Sequence, residues 1–367
     1  MSKNEWHLKY RPFQLDEVVG QNSVTSTLKQ ATIAGKFANS YFFVGTKGCG
    51  KTSVARILAN LMNCENPKDG KLCGKCRACQ TIPSDVAMDV IELDGAANGN
   101  VENIQSLIDG ARWSPNELKR KVYLIDEAHQ LSSKAISALL KIVEEPPEYL
   151  SFIFCTTEPK KVIGTIPSRS QRFNFRRLLS KEIVGRIRFI SDKEGVNITN
   201  EALFAIAKIS RGCMRDAIVT LEQISTQAGK NMIDDNHIQK FFGLPDRQIV
   251  FQIVNSITGG NISLLLDQVN DLIMANVDTE AIAFEISEAF RTIMLLKAQN
   301  GQTKWIDLPD QEIEQLKKVG EAVKLGQLDK LSKQFSTLRK ELEYSINERW
   351  VLESTLIHCT ALLKQQT

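Results

Sequence analysis

The residues best equipped for chemistry are Gly45, Thr46, Lys47, Gly48, Cys49, Gly50, Lys51 and Thr52, with Ser53 directly after them. Their spacing, GxxxxGK[ST], falls between an apolar run and a segment of helical periodicity, so it reads as strand, loop and helix in succession. The glycines let backbone N–H groups converge on phosphate oxygens, and the helix start adds a favourable dipole. Lys51 then reaches the β and γ phosphates of a nucleoside triphosphate, and the Thr52 hydroxyl is a ligand for Mg²⁺. A second apolar run, VYLIDE (122–127), ends on two carboxylates. Asp126 can hold the magnesium through water, and Glu127 can orient or polarise an attacking water. Together the two motifs imply ATP binding and hydrolysis.

A separate chemistry belongs to Cys64, Cys73, Cys76 and Cys79, which sit in the polar segment CENPKDGKLCGKCRAC (64–79). The spacing C-x8-C-x2-C-x2-C supplies a tetrahedral Zn²⁺ with four thiolates and no open position, which makes a structural rather than a catalytic site. Lys68, Lys71, Lys75 and Arg77 moderate its negative charge. An Fe–S cluster takes the same ligands, whereas two disulfides are disfavoured in the cytoplasm. Cys49, Cys155, Cys213 and Cys359 are scattered and form no disulfide framework.

The elements that must position these residues begin with four apolar runs, SYFFVG (40–45), MDVIEL (88–93), KVYLID (121–126) and SFIFCTT (151–157). They alternate with helical patterns, the mark of an α/β domain with a parallel sheet. After Arg177 the strand signals stop. Helix follows helix, with breaks at 195–197, 210–212, 229–231, 243–245, 259–261 and 299–301. Boundaries near Leu178 and Gly243 give domains over 1–178, 179–243 and 244–367.

A chain of 367 residues with 43% hydrophobic and 24% charged residues has the composition of a multidomain globular protein. Its formal charge of +3 is too small to mark a nucleic-acid binder by itself. No apolar run approaches the roughly 20 residues that span a bilayer, and MSKNEWHLKYRP lacks the apolar stretch of a signal peptide, which points to the cytoplasm and away from membranes. The basic run LKRK (118–121), just before the strand that carries Asp126, reads as a solvated loop. Asp126, Glu127, Ala128 and His129 also spell a helicase box, but the sheet pattern occurs once and such helicases need a second ATPase-like lobe.

The order of motifs is more specific. KYRP (9–12), DEVVGQ (16–21), the phosphate loop, the cysteine segment, LIDEAH (124–129), ALLKIVEEPP (138–147), TTEP (156–159), SRS (168–170) and GCMRDA (212–217) occur in succession. The chain resembles the AAA+ ATPases, and within them the gamma/tau subunits of the bacterial DNA polymerase III clamp loader. That resemblance implies a P-loop parallel-sheet core, a small helical lid and an all-α collar. It implies that Tyr10, Arg11, Pro12, Val18 and Val19 line the adenine and ribose pocket, although Val18 and Val19 fit ordinary core equally well. Thr157 matches the first sensor of the γ-phosphate, with Thr156 the alternative. Arg215 matches the second sensor. Arg169 matches the arginine finger that enters a neighbour's site, although the family's Ser-Arg-Cys reads Ser-Arg-Ser here, with Ser170 last.

The resemblance favours zinc at the cysteines. It implies a motor subunit in a pentameric ring with delta and delta-prime type subunits and further copies of itself, within a DNA-directed DNA polymerase holoenzyme. Such a ring opens a sliding clamp and sets it on primed DNA, partly through helix N-termini such as the one opened by NGNVE (98–102). The end at Thr367 resembles the gamma form, or an engineered or naturally short version of the longer tau form. The alternatives are a non-hydrolysing structural subunit of that assembly and a ring-shaped helicase or branch-migration motor.

Overall fold

The computed structural model describes residues 5–84, 86–162, 164–299, 306, 308 and 310–364. It forms two compact units, Met1–Met232 and Ile233–Thr367. In the first unit β1 (Ser40–Val44), β2 (Val90–Asp94), β3 (Lys121–Asp126), β4 (Leu150–Thr156) and β5 (Gln171–Asn174) make one parallel sheet in the order β2-β3-β4-β1-β5. Parallel neighbours need crossovers, and helices supply them. Helices α1 (Trp6–Lys9) and α2 (Asn22–Ala34) precede β1, and α3 (Lys51–Asn63) and α4 (Arg77–Thr81) follow it. Next come α5 (Gly95–Asn98), α6 (Val101–Ala111), α7 (Ser133–Glu144) and α8 (Thr165–Arg169).

The strands read as unbroken apolar runs because both faces of the sheet are covered. Tyr41, Phe43, Val122, Leu124, Ile153 and Cys155 turn toward one layer, where they meet Leu28 of α2 and Val54 and Leu58 of α3. Their neighbours Phe42, Tyr123, Ile125, Phe152 and Phe154 turn to the other, against Ile104 of α6 and Leu139 of α7. The four strands expected from sequence are present. The fifth, β5, escaped because Phe173 is its only buried residue, so its burial pattern carries almost no periodicity.

Beyond the sheet the described residues are helical apart from their connections, as expected. The first unit closes with α9 (Ser180–Glu194), α10 (Asn200–Ile209) and α11 (Met214–Ala228). In the second unit follow α12 (Asp235–Phe242), α13 (Arg247–Gly259), α14 (Ile262–Met274), α15 (Thr279–Ala298), α16 (Asp310–Glu321), α17 (Leu325–Glu343) and α18 (Glu348–Lys364). Its core gathers Ile253, Leu265, Ile286, Phe290, Leu331 and Leu356. Helix starts are set by side-chain caps: Thr199, Asp246, Asn261 and Asp278 each accept a backbone N–H of the first turn. Of the break expected at 299–301, Gln299 caps α15, and Asn300 and Gly301 lie outside the described residues. Among the described residues no helix is long and apolar enough to cross a membrane.

The basic run 118–121 is not a solvated loop. Lys119 Nζ donates to the Cys64 carbonyl at 2.8 Å, and Lys121, buried in β3, donates to the carbonyls of Gly110 and Trp113 at 2.9 Å each. These cations hold crossover segments to the sheet, a use that charge counting does not reveal.

Candidate functional site

Strand order builds the site. β4 lies between β1 and β3, so their carboxyl ends bring together the loop after Val44, Thr156 and Thr157 at the end of β4, and Asp126 and Glu127 at the end of β3. In open parallel sheets this edge is where ligands bind. The loop is fixed by Gly45 N–H donating to the Thr156 carbonyl at 3.2 Å. Gly48 and Gly50 take φ of 68° and 105°, left-handed conformations that a side chain would strain. A cleft of about 400 Å³ opens above them.

Lys51 is buried at the first position of α3, and its Nζ donates to the carbonyls of Gly45 and Thr46 at 2.9 Å each. The Thr52 hydroxyl donates to Asp126 Oδ2 at 2.7 Å, so the two candidate magnesium ligands already touch. Lys47, Gly48, Cys49, Gly50 and Ser53 also line the cleft. Glu127 adopts a left-handed backbone at φ 45° and ψ 47°. Its Oε2 accepts the Thr157 hydroxyl at 3.1 Å and lies 3.4 Å from His129 Nδ1. Thr156 is fully buried instead, with its hydroxyl 3.1 Å from His129 Nδ1 and accepting Glu158 N–H at 3.1 Å.

The opposite wall comes from far along the chain. Tyr10, Arg11, Pro12, Val18 and Val19 line it, as does Arg215 in the first turn of α11. Helix α11 is docked on the phosphate loop: Met214 N–H donates to the Gly48 carbonyl at 3.0 Å, and Cys213 packs on Gly48. Sequence reasoning missed His7, Glu17, Glu92, Asp94, Leu178 and Arg186, which also face the cleft. Glu17 falls within DEVVGQ (16–21) and Glu92 within the apolar run 88–93, while the other four carry no motif. Burial, and then the Arg215 charge, push the His7 imidazole down. Arg186 on α9 donates to the Tyr10 carbonyl at 2.8 Å, and burial lowers its pKa. Tyr10 donates its hydroxyl to Glu194 at 2.5 Å, and Lys9 Nζ reaches the same carboxylate oxygen at 2.6 Å. Hydrogen bonds from Lys9 and then Tyr10 hold Glu194 below the usual carboxylate range, while burial, followed by the Glu194 contact, pushes Tyr10 up to about 12. Arg169 lies away from these groups at the end of α8, 43% exposed and paired with Glu144 at 3.0 Å.

The four clustered cysteines converge. Their sulfurs all lie within 4.8 Å of one another, with Cys73–Cys79, Cys64–Cys76 and Cys64–Cys79 separations of 3.9 Å. Four sulfurs at about 2.3 Å from one tetrahedral ion are about 3.8 Å apart, so the set fits a single metal. Backbone N–H groups of Cys73 and Cys76 point at the sulfurs of Cys64 and Cys73, at 3.5 and 3.4 Å. Backbone hydrogen bonds from Lys75 and Cys76 lower the Cys73 thiol to about 6, while burial raises Cys64 and Cys79. Of the nearby cations, Lys71 pairs with Asp16 at 2.8 Å and Arg77 with Glu117. Cys49, Cys155, Cys213 and Cys359 are buried free thiols.

A parallel sheet with a phosphate loop after β1, an acidic pair after β3 and an arginine-bearing helix docked over the loop defines a P-loop fold of the AAA+ class. Residues 20–179 match a family model described as DNA polymerase III, delta subunit, and residues 233–367 one described as DNA polymerase III subunits gamma and tau domain III. The chain is 37% identical to DNA polymerase III subunit tau of Bacillus subtilis over 301 residues, 82% of this chain and 53% of that protein. It is 30% identical to DNA polymerase III subunit gamma of Buchnera aphidicola subsp. Schizaphis graminum over 357 residues, 97% of this chain and 98% of that one. Among solved structures, the Thermotoga maritima RuvB Holliday junction branch migration motor aligns with a TM-score of 0.49 at 21% identity, over 68% of this chain and 79% of that chain. The chain belongs to the gamma/tau subunit family of DNA polymerase III. It spans about half the length of the first of these curated relatives.

Proposed function

We propose that this chain binds and hydrolyses Mg²⁺–ATP in the cleft and acts as a motor subunit of the DNA polymerase III clamp loader, opening a sliding clamp and placing it on primed DNA. The observation that carries the reading is the contact of Thr52 with Asp126 at 2.7 Å beside Glu127, itself held by Thr157 at 3.1 Å, all at the rim that presents Lys51. Thr52 and Asp126 would hold Mg²⁺, which supplies neutralisation of phosphate charge. Lys51 exchanges its two carbonyl contacts for β and γ phosphate oxygens. Glu127 orients the attacking water, and the Thr157 hydroxyl fixes that carboxylate as the first sensor. Arg215, carried by a helix docked on the loop, adds positive charge at the γ-phosphate as the second sensor. Tyr10, Arg11, Pro12, Val18 and Val19 receive the base and ribose.

Arg169 completes the site of a neighbouring subunit. Its exposed pair with Glu144 is worth at most about 1 kcal/mol and is readily exchanged for a phosphate. A finger supplied in trans makes the assembly a ring, here with delta and delta-prime type subunits and further copies of the chain. In this reading residues 1–178 are the ATPase core, 179–243 the lid and 244–367 the oligomerisation collar, and the protein is cytoplasmic. The helix N-terminus at Asn100 is a candidate contact for DNA phosphates.

The cysteine centre is a structural zinc site. Sulfur separations suited to one ion support it over an iron–sulfur cluster, which spreads its thiolates over several irons. Metal analysis after purification without added zinc is expected to give one zinc per chain. Iron with a visible absorbance band refutes the assignment.

The test of the ATP site is nucleotide binding and turnover in the reconstituted assembly. Lys51→Ala is expected to abolish ATP binding, and Arg169→Ala to leave binding intact while lowering turnover by about 10³-fold or more. Unchanged binding in Lys51→Ala refutes the site, and unchanged turnover in Arg169→Ala refutes the shared one. Binding without turnover in the unaltered chain indicates the non-hydrolysing structural subunit.

A further inference from the structure

The cysteine centre lies outside the cleft, but it is not tethered only by its chain ends. Gln14 and Leu72, the latter adjacent to Cys73, exchange two hydrogen bonds: Leu72 N–H donates to Gln14 Oε1 at 2.9 Å, and Gln14 Nε2 donates to the Leu72 carbonyl at 3.2 Å. A side-chain amide thus pairs with a main-chain amide as one strand pairs with the next, fixing both position and orientation. Beside it Asp16 takes Lys71 of the cysteine segment at 2.8 Å and Lys29 of α2 at 3.2 Å. Leu72, Cys64 and Cys79 are buried in the same apolar cluster as Leu15.

These partners bracket one short turn. Gln14 precedes, and Val18 follows, the 3₁₀ turn Leu15–Glu17. Glu17, Val18 and Val19 then face the cleft, and Val18 lies close over the phosphate loop, its Cγ1 being 3.9 Å from where a Cβ on Gly50 would stand. Leu72, Gln14 and the turn Leu15–Glu17 thus form one connected path to the part of the cleft lined by Val18 and Val19.

We infer that the metal-bound cysteine module is a brace for the base-facing wall of the nucleotide cleft, and that Gln14 is the positioning residue that joins the two. The inference rests on the ATP and tetrathiolate readings above. Ordering of the module by its metal fixes Leu72; Leu72 fixes Gln14; the turn from Leu15 to Glu17 then presents Val18 and Val19 in one conformation, lowering the ordering cost of binding. Metal and nucleotide are then thermodynamically linked, although no ligand is shared.

The test measures dissociation constants for ADP carrying a fluorescent ribose label, with metal content determined on the same samples. The full chain and Gln14→Ala are each compared metal-loaded and chelator-stripped. Loss of the paired hydrogen bonds is expected to weaken binding roughly five- to tenfold in metal-loaded Gln14→Ala, which keeps one metal per chain. Stripping the unaltered chain is expected to weaken binding by a similar factor, and stripping Gln14→Ala to add less than about twofold. Equal losses on stripping in both backgrounds, or unchanged affinity in metal-loaded Gln14→Ala, overturn the inference. Should the stripped chain unfold by circular dichroism, the metal-loaded variant decides alone. Labelled ADP bound equally by all forms defeats the brace and leaves the nucleotide site standing; no binding by any form defeats both.

Discussion

Gly48→Ala is expected to destabilise the sheet-containing unit through backbone strain and one steric contact. Gly48 has φ 68°, and a Cβ there would stand 1.9 Å from Cys213 Sγ, 3.2 Å from Cys213 Cβ and 3.3 Å from its Cα. The left-handed backbone costs a non-glycine residue about 1–2 kcal/mol. Forcing the buried sulfur aside costs about 1–3 kcal/mol more. The total is about 2–5 kcal/mol, and in a unit of this size each kcal/mol lowers the unfolding midpoint by about 2–4 °C. Removing the sulfur isolates the steric part. With Cys213→Ala the nearest atoms lie at 3.2 Å or beyond, and the double variant is expected to be about 1–3 kcal/mol more stable than the sum of the single changes. Thermal and urea unfolding of the four proteins without nucleotide makes the comparison. Strict additivity would refute the claim that Cys213, at the start of α11, rests on the phosphate loop.

Two further outcomes follow from the site. Glu127→Gln is expected to retain ATP binding while turnover in the assembly falls about 10²- to 10⁴-fold, because the amide no longer orients water as the carboxylate does; a loss below about fivefold rejects that role for Glu127. Glu194 carries a pKa held low by Lys9 and Tyr10, so its contribution is present above the ordinary Glu value of ~4.3 and is lost as pH falls through the lowered one. The stability gap between the unaltered chain and Glu194→Gln is accordingly expected to shrink from about pH 5 toward pH 3. A gap independent of pH counts against the charged contact.

Some of this architecture was legible because its chemistry demands contiguous residues. A phosphate loop needs its glycines, Lys51 and Thr52 within one turn of chain, and the Asp126–Glu127 pair must end a buried strand, so each leaves a local signature. The cysteine centre is compact for the same reason. Strand alternation, invisible in the dipeptide itself, separates the two threonines: Thr156 turns inward to His129, leaving Thr157 to meet Glu127. The side chains that support the Tyr10 wall of the cleft were illegible. Arg186 and Glu194 sit on α9, far in sequence from the Tyr10 they hold, and nothing in a helical periodicity distinguishes them from solvated charges. Lys121 misled for the same reason, since a lysine buried against two carbonyls looks in sequence like any other basic residue.

In the proposed function, ATP turnover in this chain drives the loading of a clamp onto DNA. Its most direct measurement is the ATPase rate of the reconstituted assembly with and without a cognate sliding clamp and primed DNA, with deposition of the clamp on DNA followed in the same reaction. Turnover stimulated by both together, and clamp deposition lost in Lys51→Ala, is the expected result. Turnover indifferent to clamp and primed DNA, or deposition that persists in Lys51→Ala, would contradict it.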